Sequence, residues 1–525
     1  MTNICNISYS ANDSLSSPPA TSLDSSSDSF SPSSPESLPN GNDHAVPHLG
    51  DMPTEEFRKR GRQVIDWIAN YRESLETRRT LPATKPGETR ALLPLEAPEY
   101  SEEMAVILED FERIIVPRLT QWHHPNFFAY FANSAALPAV LAELLAAALN
   151  NNSMVWKSGQ AATELESVTL SWLRKALGLP EDFWGMIFDT ASVCTMQALA
   201  QAREQAGINA REQGLAGRDV PRLRVYASEF VHSSIDKACI TLGIGAENLV
   251  KIPADARYSL VPEALSQAIA EDRARDYLPI AVVGVVGTTS AASSDPINAI
   301  ADVCERERLW FHVDAAYAGA AALLPEWRNR FTGWERADSI VMNPHKWLFT
   351  PMDLSVFYTR KPQTLRAAFS LTPEYLKTSE DAEVENMMDY GLQLGRRFRS
   401  LKLWFTLRYF GLESIRARLR EHIELARLFA QLIEARTDFE LLAPVEFSLV
   451  CFRYRPDALL NADESELSQL NARLEEALNA EGEIFIVHTT LGGRYALRFA
   501  VGNIETSERH VRRAFERIAA AAEAL

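Results

Sequence analysis

Asn343-Pro344-His345-Lys346-Trp347, read together with His312-Val313-Asp314-Ala315-Ala316-Tyr317 upstream, decides the fold. Lys346 comes after Ala337-Asp338-Ser339-Ile340-Val341-Met342, which reads as a buried strand, and Trp347-Leu348-Phe349 follows at once. A surface Lys rarely sits between two apolar runs. Pro344 biases Asn343 toward extended geometry. A buried amine has a depressed pKa, which makes it a nucleophile near neutral pH. Leu309 to Asp314 is a second apolar run, and it ends on a carboxylate followed by the small residues Ala315, Ala316, Ala318 and Gly319. A strand-end Asp often caps a helix. In an open parallel sheet, however, such a carboxylate points into the ligand crevice, and small residues after it leave room for a flat ring.

A nucleophilic Lys can condense with an aldehyde. A close carboxylate favours the protonated form of a pyridine nitrogen. Together these are the demands of pyridoxal 5'-phosphate (PLP). Thr190-Ala191-Ser192 follows the strand expected at Gly185–Phe188 and opens a helix expected over Ser192–Gln205. Free N–H groups and the positive dipole end at a helix N-terminus suit a phosphate. An ordinary Ser cap is the plainer explanation, and the company of Lys346 and Asp314 favours phosphate.

These motifs resemble those of the group II PLP-dependent decarboxylases, in the aromatic-L-amino-acid decarboxylase branch. The resemblance runs from about Met52 to the C-terminus. It includes Trp122-His123-His124-Pro125-Asn126-Phe127-Phe128-Ala129-Tyr130-Phe131, Ala162-Thr163-Glu164-Leu165-Glu166, Val231-His232-Ser233-Ser234 and Gly287-Thr288-Thr289. Its most specific parts are Leu394-Gly395-Arg396-Arg397-Phe398-Arg399-Ser400-Leu401-Lys402 and Tyr495-Ala496-Leu497-Arg498-Phe499. The resemblance implies an α/β fold of PLP fold type I. A mainly parallel sheet makes the large domain, flanked by a helical N-terminal domain and a small α+β C-terminal domain. It also implies an obligate homodimer with an active site built from both chains.

Composition is that of an ordinary soluble enzyme: 525 residues, 46% hydrophobic and 23% charged. The net charge of −17 argues against nucleic acid and anionic membrane surfaces as partners. Five scattered cysteines with no Cys-x-x-Cys pair suggest neither a metal site nor a disulfide framework, and point to a reducing cytoplasm. No apolar run reaches the length of a membrane helix. The longest, Ala135 to Leu149, carries Glu143; its apolar positions 137, 140, 141, 144, 145 and 148 follow helical spacing and read as a helix buried in the core.

Residues 1–50 are rich in Ser, Pro, Asn and Asp, and read as a disordered tail that lacks the pattern of a secretory signal. Residues 51–136 are expected to form the helical dimerisation domain, with stripes from Phe57 to Tyr71 and from Met104 to Leu119. Residues 137–401 alternate strands and helices and form the PLP-binding domain. Strands are expected at Gly185–Phe188, Arg222–Ala227, Leu249–Ile252, Ile280–Gly284, Leu309–Val313, Ser339–Met342 and Leu354–Tyr358. Residues 402–525 form the small domain, with strands at Phe447–Arg453 and Tyr495–Ala500.

By resemblance, Ala191, Ser192, Asn343 and His345 surround the phosphate. His232 stacks on the pyridine ring and touches the substrate carboxylate, although a lone His is more often structural. Thr289 and Ala316 contact the cofactor. Lys346 and Asp314 are its lysine and its nitrogen partner. Tyr375, in Thr372-Pro373-Glu374-Tyr375 before an acidic stretch, matches a lid residue that acts as general acid on the substrate carbon. Relatives with Phe there make an aldehyde instead, so Tyr375 favours simple decarboxylation by a carboxy-lyase. Trp122, Tyr130, Phe131 and Gly395 match positions around the substrate side chain. Several positions depart from the pattern. Val193 stands where many relatives have Glu. Ala132-Asn133 replaces a Pro-Thr pair. Asn152 to Val155 replaces a more aromatic or aliphatic wall. Gly395 is small where some relatives carry Ser, a difference associated with larger, indole-like side chains. The aromatic segment 122–131 argues against an acidic substrate.

Overall fold

The computed structural model describes residues 49–381 and 383–525, so the expectation of a disordered tail over residues 1–50 lies almost wholly outside the described residues. Residues 52–97 and 102–525 make one compact unit; residues 49–51 and 98–101 belong to a minor one and carry no helix or strand.

Seven strands form the main sheet: β1 Trp184–Phe188, β2 Leu223–Ser228, β3 Leu249–Ile252, β4 Leu278–Val285, β5 Trp310–Asp314, β6 Ser339–Met342 and β7 Ser355–Thr359. All seven lie within a residue or two of the expected positions. Their spatial order is β1-β7-β6-β5-β4-β2-β3. Neighbours from β6 to β3 are parallel, whereas β7 runs antiparallel to both β6 and β1. The antiparallel strand was not foreseen, and chain length explains it. Segment 343–354 is occupied by a short helical turn at Pro344–Trp347, leaving too little chain for the crossover that a parallel strand requires.

Register places the site. Val285 pairs with Asp314, and Asp314 pairs with Val341. The parallel strands therefore end level, and the loops after β1, β2, β4, β5 and β6 leave from one edge. Two further bonds, Ala315 N–H to the Val341 carbonyl and Asn343 N–H to the Ala316 carbonyl (each 3.0 Å), lock β5 and β6 together there. The strands are apolar and mostly buried because helices cover both faces, among them Gln160–Leu177, Ala191–Gln205, Pro262–Ala274 and Ile297–Glu307.

A second, antiparallel sheet holds β8 Phe439–Leu441, β9 Leu449–Tyr454, β10 Val487–Leu491 and β11 Arg494–Ala500 in the order β10-β11-β9-β8. β8 and β10 were missed, being short and flanked by charge. The helical run Ser400–Glu434 breaks at Gly411, whose φ of +68° suits a residue without Cβ. Leu403, Leu407, Ile415, Leu419 and Ile423 of this run join the core of the large sheet, while Leu425, Ala426, Phe429 and Ile433 join that of the small one. The boundary expected at 401/402 thus falls at the start of an element shared by both cores.

One expectation fails. Helix Leu137–Leu149 is not buried all round: only Ala139 and Ala142 are, while Leu137, Leu141, Leu144, Leu145 and Leu149 are 45–64% exposed. Ala139 and Ala142 face the chain, and the leucines face outward. Helical spacing reveals an apolar helix but cannot say what covers it. Helix Thr54–Glu73 likewise has no buried residue, and Phe57 is 59% exposed.

A buried ion pair fastens the Leu394–Lys402 motif to the sheet. Arg396 donates to Glu166 (2.7 Å) and to the Ile187 carbonyl (2.9 Å), and Glu166 accepts from Ile187 N–H (2.9 Å). Both side chains are under 5% exposed. Removing one partner of such a pair leaves an uncompensated charge and costs about 3–5 kcal/mol. We expect Arg396→Met to lower unfolding stability by that amount in urea titrations; a loss under about 1 kcal/mol would show that the pair does not hold this motif in place.

Candidate active site

The common sheet edge opens into a cavity of about 220 Å³. It is lined by Ala191, Ser192, His232, Thr289, Asp314, Ala316, Asn343, His345 and Lys346, together with Phe131. The nine positions expected around a cofactor come from five different loops, and the fold brings all nine to one cavity. Thr190, Ser234, Val285, Gly287, Tyr317 and Met352 complete the lining.

One end of the cavity is a cradle of donors. Helix Ala191–Gln205 starts there with Thr190 as its cap, two residues before the Ser expected. The Thr190 carbonyl accepts from the N–H groups of Val193 and Cys194, leaving those of Ala191 and Ser192 free to face a ligand. Asn343 accepts a hydrogen bond from the Ser355 hydroxyl (2.7 Å) through Oδ1, which turns its Nδ2 donors to other uses. His345 Nδ1 accepts from Leu354 N–H (3.1 Å), so the ring proton lies on Nε2. Burial, and then Lys346, push His345 down to about 4, keeping it neutral. A row of oriented neutral donors at a helix N-terminus fits a phosphate group.

At the other end lies Lys346. Its side chain is half-buried and its pKa is lowered, chiefly by desolvation and further by Arg498, against the opposing pull of Asp314. Lys346 Nζ lies 5.5 Å from the Phe131 ring centroid. Asp314 is 5% exposed; one oxygen accepts Ala316 N–H (3.0 Å), and the other makes no hydrogen bond among the described residues. A carboxylate oxygen left without a protein partner and lining the cavity fits the protonated nitrogen of a pyridine ring. The Gly287 backbone has φ +84°, and a Cβ there would meet the Ala318 Cβ at 2.6 Å, so this wall admits only glycine. His232 Nδ1 accepts from Ser234 N–H (3.1 Å). Burial lowers its pKa, with Asp314 opposing that shift and Lys346 adding to it.

The substrate-side residues divide. Phe131 lines the cavity. Trp122 and Tyr130 stack on one another 5.7 Å apart, with Phe127 and Phe485 beside them, and are 37% and 49% exposed. Trp122 is therefore not a core residue. Gly395 lies outside the cavity, and a Cβ there would meet only Asn152 Nδ2, at 3.9 Å. Tyr375 is 78% exposed and also outside it. The loop after Tyr375 is tied at its far end: Trp184 Nε1 donates to Glu385 (2.9 Å), Trp156 N–H to Asn386 Oδ1 (2.9 Å), and Ser370 to Asp389 (3.0 Å). Sequence reasoning gave Arg498 no role. It is buried against the site, donating to the carbonyls of Thr289 (2.7 Å) and Ser290 (3.2 Å), 5.3 Å from the Phe131 ring centroid. A buried Arg on an apolar strand was the signal for it.

Residues 86–455 match the family described as the pyridoxal-dependent decarboxylase conserved domain. The chain belongs to this family, and its cofactor is PLP. It is 40% identical over 89% of its length to tyrosine decarboxylase 2 of Narcissus pseudonarcissus, covering 94% of that protein. It is 38% identical over 88% to phenylacetaldehyde synthase of a Rosa hybrid cultivar, covering 92%. Among solved structures, Oryza sativa TDC with PLP and tryptamine superposes with a TM-score of 0.88 at 37% identity, over 91% of this chain and 99% of that one.

Two outcomes test the electrostatics. Replacing Asp314→Asn removes the charge that would face a ring nitrogen bound in this cavity. A two-unit shift in that nitrogen's pKa corresponds to about 2.7 kcal/mol, so turnover should fall about 100-fold or more in steady-state assays while far-UV circular dichroism stays unchanged. Turnover within twofold of the parent would exclude the role.

The second concerns pH. Burial lowers His123, His312 and His345 to about 4 and His422 to about 3. Each is depressed below the unfolded value of about 6.5, so the unfolded chain binds more protons between those limits. The stability they contribute is complete above about pH 6.5 and lost as pH falls toward 4. Asp295, raised to about 6 by burial, opposes them. Urea midpoints of the cofactor-free protein should therefore fall from pH 7 to 5, and His345→Asn should flatten the slope. A level profile would contradict the neutral, buried imidazoles.

Proposed function

We propose that this chain decarboxylates an aromatic L-amino acid to the corresponding arylalkylamine and CO2, as a homodimeric cytoplasmic carboxy-lyase. The observation that carries this reading is the single cavity in which a half-buried lysine, an unpaired carboxylate and a neutral phosphate cradle meet an aromatic wall. PLP, when bound, supplies an aldehyde for the substrate amine and a positively charged ring that withdraws electrons from the α-carbon.

The remaining work falls to the chain. Ala191, Ser192, Asn343 and His345 hold the phosphate. Asp314 keeps the ring nitrogen charged. Lys346, its pKa lowered chiefly by burial, would hold the cofactor through Nζ until the substrate amine takes its place. His232 covers the ring and faces the substrate carboxylate. Thr289 and Ala316 fix the ring's edges. Phe131, with Trp122 and Tyr130, receives an aromatic side chain. The open space around Gly395 leaves room for a bicyclic one. Tyr375 donates its phenolic proton to the substrate α-carbon once CO2 has left. An assay of amine and CO2 over Trp, Tyr, Phe, Dopa, 5-hydroxytryptophan, His and Glu tests the substrate class; turnover confined to His or Glu would overturn it.

The rose relative raises a second reading, an aldehyde-forming oxidative reaction. Tyr375 argues against it, because a phenyl ring cannot return the proton. Tyr375→Phe should cut amine formation at least tenfold and release aldehyde, ammonia and peroxide under air. If the parent already makes mostly aldehyde, or if the variant makes amine as well as the parent does, Tyr375 is not the donor.

The exposed leucines of helix 137–149 support the homodimer. A helix face this apolar is stable in water only when covered, and a second copy supplies an apolar face of the same kind. A shared site also accounts for Tyr375, Trp122 and Gly395, which lie outside the cavity of their own chain. Light scattering at micromolar concentration should show a dimer. Leu141→Glu with Leu145→Glu should yield inactive monomers; a fully active monomer would refute a shared site.

A further inference from the structure

Lys346 has a neighbour whose support reaches across the molecule. Trp347 is 1% exposed, and its Nε1 donates to His422 Nδ1 at 2.9 Å. His422 stands in the Ser400–Glu434 run and is wholly buried. The bond makes Nδ1 the acceptor and puts the imidazole proton on Nε2. The Asn503 backbone lies near enough to the ring to favour its protonated form, and the partner at hydrogen-bond distance is Trp347, on Nδ1.

Trp347 is also the inner member of a stack of rings. Phe131 lies on Tyr317 (3.6 Å, 12° between planes), Tyr317 on Trp347 (4.8 Å, 13°), and the His422 ring is nearly parallel to Trp347 (6.5 Å, 8°). Phe349 closes edge-on against His422 (5.8 Å, 89°). The outer end of the stack, Phe131, is the wall that faces Lys346 Nζ. Tyr317 is held from the side by its hydroxyl, which bonds Ser448. A ring in such a stack can slide in its plane at little cost in packing, and the Trp347–His422 bond pins one member against sliding.

We propose that His422 is a positioning residue for the Lys346 site. Its bond to Trp347 fixes both the helical turn that carries Lys346 and, through Tyr317, the Phe131 wall opposite. The inference rests on reading Lys346 as the cofactor lysine. A displacement near 1 Å at a reacting group can cost about 100-fold in rate, so a pin of this kind has leverage although it touches neither substrate nor cofactor.

The test compares His422→Phe with His422→Asn. Asn offers an acceptor on its γ-carbon, close to where His carries Nδ1; Phe fills the space without one. Three quantities are read: PLP affinity of the cofactor-free protein by titration, visible circular dichroism of the loaded protein, and kcat apart from KM for the best amino acid. His422→Phe should bind PLP at least tenfold more weakly, change the visible circular dichroism, and lose kcat about 10- to 100-fold with little change in KM. His422→Asn should stay within about threefold of the parent. The proposal is overturned if His422→Phe matches the parent in all three readouts, or if Asn fails to rescue a folded protein. Should His422→Phe prove unfolded by circular dichroism, the Asn variant decides alone: an altered PLP affinity overturns the proposal and an unaltered one supports it. PLP affinity is read without substrate, so an error in the assigned substrate leaves this outcome intact, whereas a parent protein that binds no PLP sinks the reading of Lys346 instead.

Discussion

The pairing of β5 with β6 is the constraint on which the site depends. Asp314 pairs with Val341, and two backbone hydrogen bonds beyond the pair hold the strand ends together. A slip of one residue would reverse every side chain on β6 and carry Lys346 away from the carboxylate. Residues far apart in sequence become neighbours at a level edge because the strands are parallel and close in register. Each loop leaving that edge then needs to carry only one or two groups. The Lys346 amine and the buried Asp314 carboxylate partly compensate one another, and that mutual dependence makes an otherwise expensive pair of polar groups tolerable in the cavity.

Much of this was legible in the sequence. The seven strands of the main sheet announce themselves as short apolar runs, because both faces are covered and no alternation dilutes the signal. Of the proposed cradle, only Thr190-Ala191-Ser192 announced itself, by following a strand and opening a helix; Asn343 and His345 were assigned by resemblance. β8 and β10 were not, being too short to carry a pattern of their own. The direction of β7 could not be read from its composition, because an apolar strand looks alike in either direction and only the connection length fixes it.

The remaining gaps share a cause. The leucines of helix 137–149 have the spacing of a core helix, yet the chain buries its alanines instead. Arg498 sits in an apolar strand where its charge looks anomalous until three backbone carbonyls and an aromatic face are seen around it. Trp347 reads as one more core residue unless the imidazole beneath it is known. In each case the sequence gives the chemical type of a residue, and the missing datum is a partner far along the chain or on another surface.

The phosphate cradle has a further consequence. Among the described residues lining the cavity, Lys346 is the only cationic side chain. The groups proposed to face the phosphate are amides, a hydroxyl, a carboxamide and a neutral imidazole. A pocket built from lysines or arginines attracts an anion from a distance, and dissolved salt screens that attraction. Oriented dipoles act only within about a helical turn and leave counterions little to compete for. Cofactor capture by this protein should therefore discriminate by shape and donor geometry rather than by charge, and should hold nearly constant across ionic strengths that would strip an anion from a basic patch.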